Sequence, residues 1–338
     1  MNGKSMPYLA DYLSLRYDLN IHDINRVKNV MRISTDKGDR CLKIVKYRKE
    51  DFLFILSAMK HLIDNGFDGI IPFIPAKDGE LYVELKNGYG FLTEWISCSE
   101  CDYSNPIELN IAATTLAKLH KASRGFEPAV EIEDRIGWGK WFKKFQSRIT
   151  DMLKFKNIIL QKSGRTCFDA IYFDNLDYHL NQARLSIENL QSSKYLELME
   201  REIKAKSFCH HDYAHHNVLI SKDFKARIID FDYCICDTRL HDLSSLIIRN
   251  MRHGNWDMEK AQYIIDCYLK EGYLEPDEIE VINAFIEFPQ DFWQVGLQYY
   301  IEKQDWEENN FNKRLNNVIN DKYDRKRFIE DFRYSIQL

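Results

Sequence analysis

Hydrophobic positions in the first third of the chain fall in short runs broken by turn formers, and in the remainder they recur at helical spacing. Residues 30–34 and 41–46 are β-prone and are separated by Thr35-Asp36-Lys37-Gly38-Asp39, which predicts an antiparallel hairpin. Residues 51–62 carry Phe52, Ile55, Leu56, Met59 and Leu62 one helical turn apart and stop near Asn65-Gly66, which predicts a helix. Further strands are expected over 70–74, 81–84 and 91–96, divided by turns at Asp78-Gly79 and Asn87-Gly88. Beyond Ser97 the spacing turns helical, with Ile111, Leu116 and Leu119 marking a helix over 111–122 and long helical stretches over 137–160 and 168–198. One interruption, at 210–231, reads as strand–turn–strand, and helices then resume to the end. Tyr299, Tyr300, Trp306, Phe311, Phe328 and Phe332 anchor that tail. Strands first and helices later predict an α+β chain of two unequal lobes meeting at a cleft. The small antiparallel-sheet lobe covers residues 1–97 and the larger, mainly helical lobe covers 98–338, split where Ser, Cys, Asp, Asn and Pro cluster.

Composition narrows the function without naming it. Of 338 residues, 45% are hydrophobic and 29% charged, an ordinary globular balance. The formal net charge of -5 argues against nucleic acid as a partner, because that binding depends on neutralising phosphates. No charged segment followed by an apolar run opens the chain, and no stretch of about 18 apolar residues occurs, so neither a secretory signal nor a membrane span is expected. The 8 cysteines are scattered. The close pairs Cys98/Cys101 and Cys234/Cys236 lack a second ligand pair at zinc-finger spacing, so free thiols are expected.

The chemistry concentrates between Cys209 and Asp232. Read as a hairpin, the apolar runs 218–220 and 227–229 flank Ser221-Lys222-Asp223 and bring the chain back to its starting end. Asn217, just before the first strand, and Asp230, just after the second, then become neighbours, with Asp212 in the loop leading in. A carboxylate and an amide oxygen suit Mg2+, which combines one or two carboxylates with substrate phosphates. Asp212 is placed to orient an attacking hydroxyl or accept its proton. His210 is expected to pack and hold the loop. Two other readings stay open: Asp and Asn favour turns in any case, and a histidine–aspartate cluster can bind zinc.

The stretch His210-His211-Asp212 through Asn217, followed by Ile229-Asp230-Phe231-Asp232, resembles the catalytic and metal loops of the protein-kinase-like superfamily. The similarity is to its aminoglycoside phosphotransferase and choline kinase branch. It implies Asp212 as base, Asn217 and Asp230 as metal ligands, Asp232 assisting, and Asp242 holding the catalytic-loop backbone. Leu116-Ala117-Lys118-Leu119-His120 resembles a helix of that branch, with His120 read as a core histidine. Lys43 resembles the lysine that contacts nucleotide phosphates, with Lys46 as its rival. Glu50 is its candidate ion-pair partner or simply a helix N-terminal carboxylate. Backbone groups at Glu94 and Ile96 would meet adenine. The segment where a phosphate-covering loop belongs, 25–30, contains no glycine, and Arg26 and Lys28 stand there instead. His211 occupies a position where the branch often carries glycine.

A similarity along nearly the whole chain is to the CotS family of bacterial spore coat proteins, carried by Asn65-Gly66-Phe67, Phe168-Asp169, Cys209-His210-His211-Asp212-Tyr213 and Phe288-Pro289-Gln290-Asp291-Phe292-Trp293. It implies ATP and Mg2+ as cofactors, a small-molecule acceptor, other coat proteins as partners, and a place in the mother-cell cytoplasm and the spore coat. Two functions follow: a kinase acting on a small-molecule hydroxyl, or a catalytically weak or inactive kinase-fold protein of the coat.

Overall fold

A computed structural model describes residues 5–338. The N-terminal region runs α1 (Ser5–Tyr17), β1 (Ile21–Val27), β2 (Val30–Thr35), β3 (Gly38–Val45), α2 (Lys49–Asp64), β4 (Phe73–Ile74), β5 (Val83–Leu85) and β6 (Gly88–Glu94). These strands form an antiparallel sheet in the order β1-β2-β3-β6-β4, with β5 also paired to β6. Period-two alternation puts Met31 and Ile33 on one face, where they join Leu9, Leu13, Leu42 and Leu92 in a small core beneath α1. The expected hairpin is β2–β3. β1 escaped the sequence reading because only Ile24 of its seven residues is buried, so it lacks the alternation that marks a strand. The expected strand at 70–74 shortens to two residues.

The rest comprises β7 (Cys98–Glu100), α3 (Pro106–Ala122), α4 (Trp141–Gln161), α5 (Cys167–Ser192), α6 (Tyr195–Ala205), β8 (Val218–Ser221) and β9 (Ala226–Ile228). It continues through α7 (Leu240–Met251), α8 (Met258–Leu269), α9 (Glu278–Glu287), α10 (Gln290–Tyr300), α11 (Glu308–Asn320) and α12 (Lys322–Ser335). The architecture is a small antiparallel sheet followed by a larger, mainly helical part, as expected. Residues 168–198 form two helices rather than one. Ser193 Oγ donates to Leu190 O (2.7 Å) and accepts from the Tyr195 N–H (3.3 Å), a side-chain competition for backbone groups that ends one helix and starts another. α5 opens with a reciprocal capping box between Thr166 and Asp169. Asp169, fully buried, also accepts from Lys162 (2.8 Å) and from the Tyr300 hydroxyl (3.0 Å), so it joins three helix ends.

The larger core does not stop at the sheet. Phe52, Phe54, Ile55, Ala58, Met59 and Leu62 of α2 belong to the same contiguous cluster as the helical part, and Phe54 meets Phe126 edge-on at 5.4 Å. All eight cysteines are free thiols. No helix among the described residues is long and apolar enough to cross a membrane.

Candidate active site

The β8–β9 hairpin pairs Val218 with Ile228, Leu219 with Arg227 and Ile220 with Ala226, and the Ile229 N–H donates to Asn217 O (3.0 Å). That register places Asn217 beside Asp230 at one mouth. Asp230 then takes a left-handed conformation, φ 66°, which aspartate tolerates better than most residues. The kink turns the chain out of β9 into a 3-10 turn, Phe231–Tyr233, and presents both Asp230 and Asp232 to the sheet.

Lys43, in β3, reaches across the cleft to both. Its Nζ lies 2.6 Å from Asp230 Oδ1 and 2.5 Å from Asp232 Oδ1. Tyr47 Oη donates to the same Asp232 oxygen (3.1 Å). Burial works against the Lys43 charge, but the two carboxylates outweigh it and raise its pKa. Burial likewise opposes the Asp230 charge, and Lys43 more than compensates, holding that carboxyl below its ordinary value. Lys46 is exposed. Of the two candidate lysines, Lys43 is the one the sheet brings to the aspartates.

Asp212 is held from two sides. Asn217 Nδ2 donates to Asp212 O (2.9 Å) and to its Oδ2 (3.2 Å), while an Arg249 guanidinium NH2 from α7 donates to Oδ1 (2.8 Å). The loop itself hangs on Asp242, which is fully buried and accepts from the backbone N–H groups of His210 (2.7 Å) and His211 (2.8 Å). Burial disfavours that carboxylate, yet hydrogen bonds with His120 and His241 keep its pKa well below the usual range. His120 is buried, with Nδ1 2.9 Å from the Tyr268 hydroxyl, as a core histidine should be. His210 Nε2 lies 2.9 Å from Ile229 O, and burial lowers its pKa, which suits a packing role. His211 adopts φ 67°, a conformation glycine enters without a steric penalty. Here Asp242 and face-to-face stacking on His241 (3.8 Å between ring centroids, 8° between planes) hold a histidine in it.

Other predicted residues are placed differently. Glu50 is exposed in the first turn of α2 and is not brought to Lys43; the apolar stripe of α2 faces inward and leaves Glu50 outside it. The neighbouring Asp51 is engaged instead, by Arg135 Nε at 3.0 Å. Arg135 also donates to Asp232 O (2.7 Å) and Cys234 O (3.1 Å), pinning α2 to the turn that carries the aspartates. Glu94 ends β6 with its side chain exposed, 3.8 Å from Arg40. Ile96 lies in the connector to β7, and its backbone makes no bond to another backbone group among the described residues. The glycine-free segment is a two-residue turn between paired Val27 and Val30, with Lys28 at φ 50° and ion-paired to Glu100 of β7.

The donor set fits a hard divalent cation. Because Asn217 uses its amide nitrogen on Asp212, its Oδ1 has no protein donor among the described residues and is free to ligate. Asp230 and Asp232 supply carboxylates beside it, bridged by a single ammonium that offsets only one of their two charges. On the far side of Asp212, helices α4, α7, α9 and α10 enclose a cavity of about 210 Å3 whose wall includes Arg249 and His211. Sequence reasoning passed over Arg249, Arg135 and Tyr47. The signal available for Arg249 was only its place on the same helical face as His241 and Arg252.

Comparison with known proteins places this geometry. The family described as "Spore coat putative kinase YutH" matches residues 10–332. Spore coat protein S of Bacillus subtilis is 22% identical over 328 residues, covering 96% of this chain and 90% of that protein. Among solved structures, an aminoglycoside phosphotransferase from Alicyclobacillus acidocaldarius superposes with a TM-score of 0.83 at 20% identity, over 98% of this chain and 96% of that one. A spectinomycin phosphotransferase in complex with ADP and spectinomycin gives 0.66 at 15% identity, over 96% and 98%. The fold is that of the protein-kinase-like small-molecule phosphotransferases.

Proposed function

This chain belongs to the spore coat putative kinase YutH family, and on that premise we propose that it transfers the γ-phosphoryl group of ATP to a hydroxyl of a small molecule at the spore coat. Residues 1–97 form the nucleotide lobe in this reading, and residues 98–338 the catalytic and acceptor lobe. The observation that carries it is the convergence of Lys43, Asp230, Asp232 and Asn217 at one mouth of the β8–β9 hairpin, with Asp212 adjoining through Asn217.

Each residue then has a task. Lys43 leaves one of its two carboxylates to hold the phosphates, as a mobile ammonium on a strand can. Asn217 Oδ1, Asp230 and Asp232 hold Mg2+, which when bound neutralises phosphate charge. Backbone groups at Glu94 and Ile96 meet the adenine edge. Glu50, remote from Lys43, has at most an electrostatic part at the helix start. Asp212 orients the acceptor hydroxyl: its oxygen forms the new bond to phosphorus, the bond from phosphorus to the β–γ bridging oxygen breaks, ADP leaves, and the hydroxyl proton passes to Asp212. Arg249 and Asn217 fix the Asp212 carboxylate for that step.

A second reading, a coat protein that keeps the fold without turnover, is favoured by the tight Lys28-Asn29 turn, which leaves no glycine backbone over the phosphates. Calorimetric titration of ATP with and without Mg2+, on wild type and Asp230→Ala, separates the two. Mg2+-dependent binding that is lost in the variant is the expected result. Wild type that fails to bind ATP under either condition would overturn the kinase reading in favour of the scaffold.

A further inference from the structure

The cavity beside Asp212 is built from charge of one sign. Lys144 and Arg148, one turn apart on α4, face Arg249 of α7 and Arg252 just past its end, and none of the lining residues is a carboxylate. Arg249 and Arg252 each hold one acid, Asp212 at 2.8 Å and Asp291 at 2.7 Å. Lys144 and Arg148 have no carboxylate within salt-bridge distance among the described residues. The acids nearest them in the fold are already committed. Asp151 accepts from Lys154 (3.2 Å) and from the Trp293 indole N–H (3.2 Å), and Asp237 is fully buried behind Trp141, whose indole N–H it accepts (3.3 Å).

Arg148 therefore lies between aromatic rings without an ion pair, its guanidinium 4.7 Å from the Trp293 ring and 5.8 Å from Phe288, and Asp151 offsets its charge only from a distance. Burial pulls its pKa down to about 10. In the same wall His211 Nε2 and Gln290 Oε1 are buried without a hydrogen-bond partner. Half-buried cations without an ion pair and unsatisfied polar atoms destabilise a fold, and a ligand that supplies the missing charge and bonds relieves both penalties. An ammonium-bearing acceptor would find no lining carboxylate to receive it.

Resting on the kinase reading above, we infer that the acceptor is a small hydroxylated oxyanion, a carboxylate or a phosphate ester, whose anionic group docks on Lys144 and Arg148 while its hydroxyl reaches Asp212. Two guanidinium or ammonium groups match an oxyanion's geometry and charge. Arg249, shared between the cavity wall and the Asp212 carboxylate, links the docking end to the reacting end. The volume of about 210 Å3 is below the roughly 300–1,000 Å3 of pockets for drug-sized ligands, which suits a molecule of a few carbons.

The test is calorimetric titration of gluconate, glycerol 3-phosphate, glycerol and ethanolamine into wild type, Lys144→Gln and Arg148→Gln, with Mg2+–ATP affinity measured on each protein. Binding of at least one anion, weakened roughly tenfold or more by either substitution, is expected, with glycerol and ethanolamine silent and ATP affinity unchanged. Gluconate alone would identify a carboxylate site, and glycerol 3-phosphate alone a phosphate site. Ethanolamine binding as tightly as the anions, no anion binding, or anion binding indifferent to both substitutions would overturn the proposal. Failure of ATP binding with anion binding intact would instead remove the kinase premise and leave the anion site standing.

Discussion

On the strand side of the cleft Lys43 is enclosed by Asp230 and Asp232 at 2.6 and 2.5 Å, whereas on the helical side Lys144 and Arg148 meet no carboxylate within salt-bridge distance among the described residues. The first region has every charge in contact without a ligand: one ammonium bridges two carboxylates and leaves one negative charge over. The second carries charge that the chain itself does not answer. A site whose charged groups contact one another can be held in shape while empty. A site with unmatched charge keeps an energetic reserve that only a ligand of the opposite sign releases. The comparison separates a preorganised half from a poised one.

The largest effect is expected where the halves meet. Asp212→Asn keeps an oxygen for Arg249 but removes the proton acceptor, and phosphoryl transfer should fall by roughly 10^2–10^4. ATP and anion affinities measured by calorimetry should both survive; loss of either would show that the halves are not separable. Next comes a change of cation on each side. Lys43→Met leaves two carboxylates facing each other and should lower the unfolding free energy by roughly 1–2 kcal/mol, discounted for the solvent that reaches Asp230. Arg148→Met removes an unpaired, desolvated charge and should raise it by about 1 kcal/mol. Denaturant unfolding reads both, and equal signs would erase the contrast.

Mild acid should also act on the helical part. His179 of α5 is buried, stacks on Phe292 of α10 at 3.8 Å, and has its pKa lowered to about 3 by that burial. Its depressed folded pKa means that its stabilising contribution is complete above about 6.5 and declines as the pH falls toward 3, because the unfolded chain takes up the proton first. Between pH 7 and 5 that amounts to about 2 kcal/mol. The Asp230 carboxylate is untouched in this range, since its pKa is lowered and its contribution is lost only below the ordinary aspartate range. His179→Phe should flatten the pH 7-to-5 decline in unfolding free energy; an unchanged decline would place the acid sensitivity elsewhere. The smallest effect belongs to Lys28→Ala. That pair with Glu100 lies at the surface, and the melting temperature should not move.

The sequence made the strand side readable because its information is local. Asn217 and Asp230 are thirteen positions apart, and a hairpin between them needs no distant partner to become neighbours. Asp242 was likewise found through its short motif. Glu50 was misplaced relative to Lys43 because helical periodicity gave the inward face of α2 as Phe52, Ile55, Met59 and Leu62, and that face excludes position 50. The cationic lining of the helical cavity was not read. Lys144 with Arg148, and Arg249 with Arg252, look in sequence like ordinary solvated faces of two helices a hundred residues apart. Only packing turns those faces toward each other. β1 was hidden for the opposite reason, since an edge strand with one buried residue carries almost no hydrophobic signal.

Arg135 ties Asp51 of α2 to the carbonyls of Asp232 and Cys234, while Phe54 and its neighbours sink into the core shared with the helical part. Mechanically, α2 is therefore part of the anvil and not of the hammer. Displacing α2 would have to break the Arg135 bonds to Asp51, Asp232 and Cys234 and expose Phe54 and its neighbours together.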